Sequence, residues 1–180
     1  PGYDGYAAGM GGNVCTILEG DRGDVDKAFA EADSIFEDTF RSQGINQGYL
    51  EPMACLANVD PSGRINVWTS TQGPYAVRAS LAAVLQIPMS RLRIIPMELG
   101  GGFGAKLRLC LEPYPVFLAL KTGKPVKMVA TREEVFTLSG FRLPTTVYLK
   151  TGVLKDGTIM AREAISIFDM GAYLGAGVQS

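Results

Sequence analysis

Residues 97 to 106 read MELGGGFGAK: three consecutive glycines, Gly100, Gly101 and Gly102, then Phe103, then Gly104, with Lys106 closing the run. Backbone amides with no Cβ in front of them can approach a polar or anionic ligand closely, so the run is a candidate ligand loop as well as a candidate tight turn. The reactive side chains around it are limited. The sequence holds no histidine, which excludes Ser-His-Asp and Cys-His nucleophile systems and histidine-ligated metals within the chain. What is left is the chemistry of carboxylates, carboxamides and backbone amides, or of a bound cofactor with its own reactivity. Cys15, Cys55 and Cys110 lie far apart and form no CxxC pair. No zinc or iron–sulfur site is read from them; free thiols in a reducing, cytoplasmic compartment are expected.

Three readings of the loop compete at this level. A plain strand-to-helix corner would need the glycines for positive φ and close backbone approach. A dinucleotide loop is the second, since Gly100, Gly102 and Ala105 satisfy G-x-G-x-x-A after an apolar run. That unit also needs an acid about 20 positions on to meet a ribose. Glu112 lies in a proline-broken stretch, and Glu133 and Glu134 come too late. A GxxxxGK[ST] phosphate loop fails because Ala105 precedes Lys106 and Leu107 follows it. The third reading draws on the rest of the chain.

The elements that must position the loop come from periodicity. The 180 residues are 47% hydrophobic, enough for one domain with a core. A net charge of −1 without charge blocks argues against a nucleic-acid surface. No run of about 18 apolar residues and no basic-then-apolar start suggest a membrane span or signal peptide. The first dozen residues read as a loop, and NVCTILEGD as a short strand. Asp24 is a helix N-cap candidate, with Val25, Ala28, Phe29 and Ala32 at helical spacing before alternation sets in at Ser34. MACLANVD and RINVWTSTQ are strands joined across PSG. Pro74 starts a helix with Val77, Leu81, Val84 and Leu85 as its stripe. RLRIIPMEL is expected as a buried strand, followed by the glycine loop and by a helix from about Pro115, since Pro113 and Pro115 would break an earlier start. PVKMVATREEVF begins as a strand. TTVYLKTGVL and TIMAREAISIF form a hairpin about Lys155-Asp156-Gly157. The order predicts an α+β arrangement, a mixed β-sheet with packed helices.

Six features occur in one order: Leu50-Glu51-Pro52; Thr71-Gln72 with Pro74; the Gly100–Gly104 run with Lys106; Gly123 with Pro125-Val126; Thr131-Arg132-Glu133; and Gly171-Ala172-Tyr173. Together they resemble the molybdenum-cofactor-binding domain of the xanthine dehydrogenase and aldehyde oxidase family of molybdenum hydroxylases, which includes aerobic carbon monoxide dehydrogenases. The resemblance covers residues 32 to 180, read as the N-terminal part of the molybdopterin-binding domain, its first lobe. Residues 1 to 31 are similar to the end of the family's preceding hammerhead domain and its linker. It implies that Gly101, Gly102, Phe103 and Gly104 lie against the pterin end of molybdopterin, expected as the cytosine dinucleotide. It implies that Gln72 donates to an oxygen ligand of the molybdenum, a role that suits an uncharged carboxamide. No residue of the chain is expected to ligate the metal directly, and Gln72 and Phe103 are expected within about 10 Å of each other on sheet geometry.

The chain departs from the pattern in two places. Xanthine-type members carry a glutamate directly after the loop lysine, and here Leu107 stands there, which argues against a purine substrate. Many members have a histidine ahead of Leu-Glu-Pro, where this chain reads Gln47-Gly48-Tyr49. Glu51 fits structural pairing better than the role of catalytic base. That base, like the family's Phe-Arg-Gly arginine motif, is expected beyond residue 180, so no catalytic residue is assigned here. The resemblance implies a piece of a large subunit that oxidatively hydroxylates an aldehyde or N-heterocycle. Its electrons would pass to iron–sulfur clusters and FAD on partner domains or subunits. The isolated chain is expected to be inactive. The alternative is a stand-alone binding or interaction module that kept the fold and lost catalysis. A native reading frame of about 180 codons would favour that module, and several hundred more would favour the fragment.

Overall fold

A computed structural model describes residues 13–14 and 17–171. Its elements run α1 (Val25–Ala30), β1 (Ser34–Ser42), β2 (Ala54–Val59), β3 (Ile65–Thr69), α2 (Pro74–Leu85), a 3-10 turn (Met89–Arg91), β4 (Leu92–Pro96), α3 (Pro113–Thr122), β5 (Val126–Val129), α4 (Arg132–Leu138), β6 (Thr145–Val153) and β7 (Ile159–Phe168). They divide into two units, one formed by residues 46–142 and one by the described parts of the flanking segments before residue 46 and after residue 142. Of the expected strand NVCTILEGD, residues 15 and 16 lie outside the described region, and the described remainder carries no strand. The motif Gly171-Ala172-Tyr173 lies outside it beyond Gly171.

The 46–142 unit is an α+β lobe. Its sheet has the order β4-β3-β2-β5, with β3 and β4 parallel and the other pairs antiparallel. Alternation along β3 buries Ile65, Val67 and Thr69, so one face of the sheet enters the core. Cys55 and Ala57 of β2, Leu81 and Ala82 of α2, and Val116 and Ala119 of α3 join it, with Tyr49 and Val135. The PSG connection is fixed by Asp60, whose Oδ1 accepts from the amides of Ser62 and Arg64 and from the Ser62 hydroxyl.

Four local expectations need correction. β4 is an edge strand on which only Leu92 is buried; Pro96 at its end agrees with an edge position, where no ladder hydrogen bond is lost. On α2, Val84 is 61% exposed and Ala82 takes its place in the core. α3 begins at Pro113, because both prolines fall in the first turn, where amides have no acceptor within the helix. α4 follows β5 as an element that periodicity does not predict. Its start carries a capping box, with Thr131 Oγ1 accepting from the Glu134 amide and Glu134 Oε2 accepting from the Thr131 amide, the signal of Thr-x-x-Glu ahead of an apolar run.

The other unit is a three-stranded antiparallel sheet, β1-β6-β7. α1 is capped by Asp24, which accepts from the Lys27 amide. Phe29 and Ala32 approach Gly152 so closely that a Cβ there would stand 3.0 Å from each. The β6–β7 turn closes at 155–157, with Gly157 at φ +88°. Among the described residues no helix is long and apolar enough to cross a membrane.

Cys55 supplies a pH test of the core. Its thiol is pushed up to about 12 from an ordinary 9.0, first by burial and second by the charge of Glu112. A raised thiol favours the protonated folded state, so its contribution is complete below pH 9 and is lost as pH climbs through about 12. Urea midpoints followed by the fluorescence of Trp68, the one tryptophan, should therefore fall between pH 9 and 12, and fall less steeply in Cys55→Ala. Parallel curves for the two proteins would exclude Cys55 as the source.

Candidate ligand-binding loop

Because β3 and β4 run parallel and pair Ile65 with Leu92 and Thr69 with Pro96, residues 70–73 and the segment after Pro96 leave the sheet at the same end. Residues 69–72 then carry that segment. The Met97 amide donates to the Thr69 carbonyl at 3.0 Å, and the Gln72 amide to the Lys106 carbonyl at 2.8 Å. Thr71 Oγ1 donates to the same Lys106 carbonyl at 3.0 Å. Thr69 Oγ1 donates to buried Glu112 at 2.8 Å, and the other Glu112 oxygen accepts from the Cys110 amide at 2.9 Å.

Gln72 holds the loop itself. Its Oε1 accepts from the amides of Gly104 at 3.0 Å and Lys106 at 3.3 Å. Two amide donors facing one oxygen settle the orientation of the carboxamide, so its Nε2, a donor only, is the end left over. Gly102 lies so near that a Cβ would stand 2.5 Å from Gln72 Oε1. Phe103 takes φ +50°, a left-handed backbone uncommon for a residue with a side chain, and the residue is 61% exposed.

Four amides of the run are taken. Gly104 and Lys106 donate to Gln72, Gly100 donates to Glu51 Oε2 at 2.8 Å, and Ala105 donates to the Gly102 carbonyl at 2.9 Å. Among the described residues the amides of Gly101, Gly102 and Phe103 have no partner. The structure thus brings Gln72, Gly101, Gly102, Phe103 and Gly104 together: Gln72 reaches the residues on both sides of Phe103. A row of unpartnered amides beside an outward carboxamide donor can bind acceptor oxygens or an anion. The unpartnered amides of half-buried Gly101 and exposed Phe103, on either side of buried Gly102, suit the polar edge of a flat heterocycle with anionic groups. They do not fit a dinucleotide loop, because the run does not open a helix: α3 starts only at Pro113.

Sequence reasoning left three side chains without a place. Lys106 is buried and donates to Glu51 Oε2 at 2.6 Å and to the Glu51 carbonyl at 3.0 Å. Glu112 is the buried anchor of the loop's far end, and Arg132 donates to the Leu50 carbonyl at 2.6 Å. A lysine between apolar segments was the available signal for the first, since a buried ammonium must have a partner.

Sheet order, the paired helices and the loop at the end of the parallel pair define the class as an α+β lobe built to present a glycine loop. The family model described as molybdopterin cofactor-binding domain matches residues 8–180, and the chain belongs to that family. It is 39% identical over 165 residues to the nicotinate dehydrogenase large molybdopterin subunit of Eubacterium barkeri, covering 92% of this chain and 39% of that one. It is 33% identical over 168 residues to the xanthine dehydrogenase molybdenum-binding subunit of Escherichia coli O157:H7, covering 93% of this chain and 22% of that one. The solved quinoline 2-oxidoreductase from Pseudomonas putida 86 superposes with a TM-score of 0.68 at 26% identity, over 84% of this chain and 20% of that chain. The chain therefore spans less than half the length of these curated relatives, which contain further polypeptide.

Gly102→Ala tests the geometry. The new Cβ must displace the Gln72 carboxamide, a movable side-chain end, so folding should survive with a loss of about 1 kcal/mol for the weakened hydrogen bonds. Amide hydrogen exchange at Gly104 and Lys106 should speed up. Unchanged protection there would show that Gln72 is not their acceptor.

Proposed function

We propose that this lobe holds molybdopterin in the large subunit of a molybdenum hydroxylase that oxidatively hydroxylates an aldehyde or an N-heterocycle. The observation that carries the reading is that, among the described residues, the amides of Gly101 and Phe103, flanking buried Gly102, are unpartnered beside the Nε2 of Gln72. The amides would meet the acceptor atoms at the pterin end. Gln72, its oxygen already bound to the loop, would offer its nitrogen toward the metal end without adding charge. Gly104 would keep the loop turned, with φ +95°. When bound, the cofactor supplies the redox-active centre at which oxygen from water is inserted into a C–H bond.

The chain's own residues bind and orient in this reading, and none of them acts as the base. Glu51 is engaged by Lys106 and Gly100. Asp24 caps α1. Glu134 closes a capping box, with Glu133 beside it in the same first turn. Asp156, with its carboxyl held below the usual range by hydrogen bonds from Thr158, fixes the β6–β7 turn. The resemblance implies instead that the base is supplied by polypeptide beyond residue 180. Leu107, 45% exposed directly after the loop lysine, supports an aldehyde or simple heterocycle over a purine. The relatives' greater length supports further domains or subunits beyond this chain. A cytosine dinucleotide tail, iron–sulfur clusters and FAD on those partners, and a cytoplasmic location are proposed from the family resemblance alone. Residues 1–31 are proposed as the end of the hammerhead domain and its linker, and residues 32–180 as the N-terminal part of the molybdopterin-binding domain.

The test is metal and pterin analysis of the full-length polypeptide, with dye reduction under aldehyde, N-heterocycle and xanthine. Near-stoichiometric molybdenum is expected, with turnover on the first two classes. Gly102→Val should reduce the molybdenum content at least tenfold, and the isolated 180-residue chain should neither hold the metal nor turn over. Normal molybdenum in Gly102→Val would remove the loop from the site.

A further inference from the structure

One residue grips both ends of the glycine loop. Glu51 donates its amide to the Gly100 carbonyl at 3.2 Å and receives the Gly100 amide on Oε2 at 2.8 Å. The same Oε2 receives Lys106 Nζ at 2.6 Å, and the Glu51 carbonyl receives it at 3.0 Å. A Cβ on Gly100 would stand 2.6 Å from the Glu51 Cβ, so nothing larger than glycine fits between. The lysine side chain is wholly shielded from solvent and its ammonium lies 4.7 Å from the Tyr49 ring centroid. Gly101 rests against the same tyrosine, where a Cβ would meet the Tyr49 Cβ at 3.2 Å.

Glu51 is itself held. Arg132, the first residue of α4, donates to the neighbouring Leu50 carbonyl at 2.6 Å, and its guanidinium lies 6.0 Å from the Tyr49 ring. Leu50-Glu51-Pro52, the glycine run with Lys106, and Thr131-Arg132-Glu133 are three separate stretches of sequence that meet in one assembly.

We propose that Glu51 is the positioning residue of the glycine loop: paired with Lys106 and seated by Arg132, it fixes residues 100 and 106 and so holds the intervening backbone, with its unpartnered amides, in one path for ligand. The proposal rests on the molybdopterin reading for the identity of that ligand, although the clamp is defined by the loop alone. Glu51 acts through Lys106 and Gly100 and touches no reacting group. Pinning matters because a glycine-rich segment loses more conformational freedom on ordering than any other, and a loop ordered before the ligand arrives does not subtract that loss from binding.

The experiment uses the full-length protein and separates positioning from folding. Removing Glu51 alone would strand a buried ammonium, which commonly unfolds a protein, whereas replacing both members of such a pair by apolar side chains is often tolerated. In Glu51→Met/Lys106→Met, urea unfolding followed by Trp68 should stay near wild type. Hydrogen exchange of the 97–106 peptide should rise at least tenfold, and molybdopterin content should fall at least tenfold. Arg132→Met, at a partly exposed site away from the loop, should give smaller changes in the same two readouts with the fold intact. It decides the matter should the double variant not fold. Folded variants with wild-type loop exchange and wild-type molybdopterin would overturn the proposal. A wild-type protein without molybdopterin would instead defeat the functional reading, and loop exchange would still decide the clamp.

Discussion

The ammonium of Lys106 is enclosed on every side by protein. Taking a charge out of water costs several kcal/mol unless a counter-charge and hydrogen bonds replace the lost solvent, and this constraint organises the lobe around it. The carboxylate and carbonyl of Glu51 and the face of Tyr49 are the replacements. Their presence forces the Gln47–Pro52 segment against the glycine loop, and that contact is close enough to exclude a side chain at Gly100. The loop's shape is therefore set from outside. Its glycines permit the path, and the pairing of buried Lys106 with half-buried Glu51 selects it.

The second support comes from the sheet. Among the described residues most neighbouring strands are antiparallel, and the parallel β3–β4 pair is the exception. Only a parallel pair delivers two chain exits at the same end, and so it places residues 69–72 alongside the segment that follows β4. Every second residue there then makes an anchoring contact, Thr69 with Glu112 and Thr71 with the Lys106 carbonyl. The crossover that makes the pair parallel is α2, whose first residue, Pro74, follows Gln72 by one glycine. The helix start, the strand end and the loop anchor are thus compressed into a few residues.

Much of this is legible in the sequence because it is local. Asp24 as a cap, Pro74 as a helix start, and the two hairpins each depend on residues within a few positions of one another. Gln72 and the glycine run stand out through the motif register of a resembling family, and the structure places them against each other. What is not legible depends on long-range placement. That β4 lies at an edge follows from strand order, which periodicity does not encode: Ile94-Ile95 reads the same in a central strand as in an edge strand. α3 starts earlier than the cost of a proline inside a helix suggests, because a position in the first turn removes that cost. The pairing of Lys106 with a carboxylate 55 residues earlier can be suspected from a lysine amid apolar segments, but its partner cannot be named from sequence.

The division of the chain has a consequence for how it folds. β1 finds its partner β6 only across the whole of the 46–142 unit, since Ser42 faces Thr145. Bringing strands together over roughly a hundred residues of disordered chain carries a loop-closure entropy that grows with the logarithm of the length. The inserted unit removes most of that cost if it orders first. Asn46 Nδ2 donates to Ser139 Oγ at 2.9 Å, tying its beginning to its end and leaving only a short tether between the two strands. Topology thus favours a sequence of events in which the loop-bearing lobe forms early, and β1 and β6 pair afterwards as its dependents. A substitution that loosens the Lys106–Glu51 pair would then be felt first in the rate at which β1 and β6 pair.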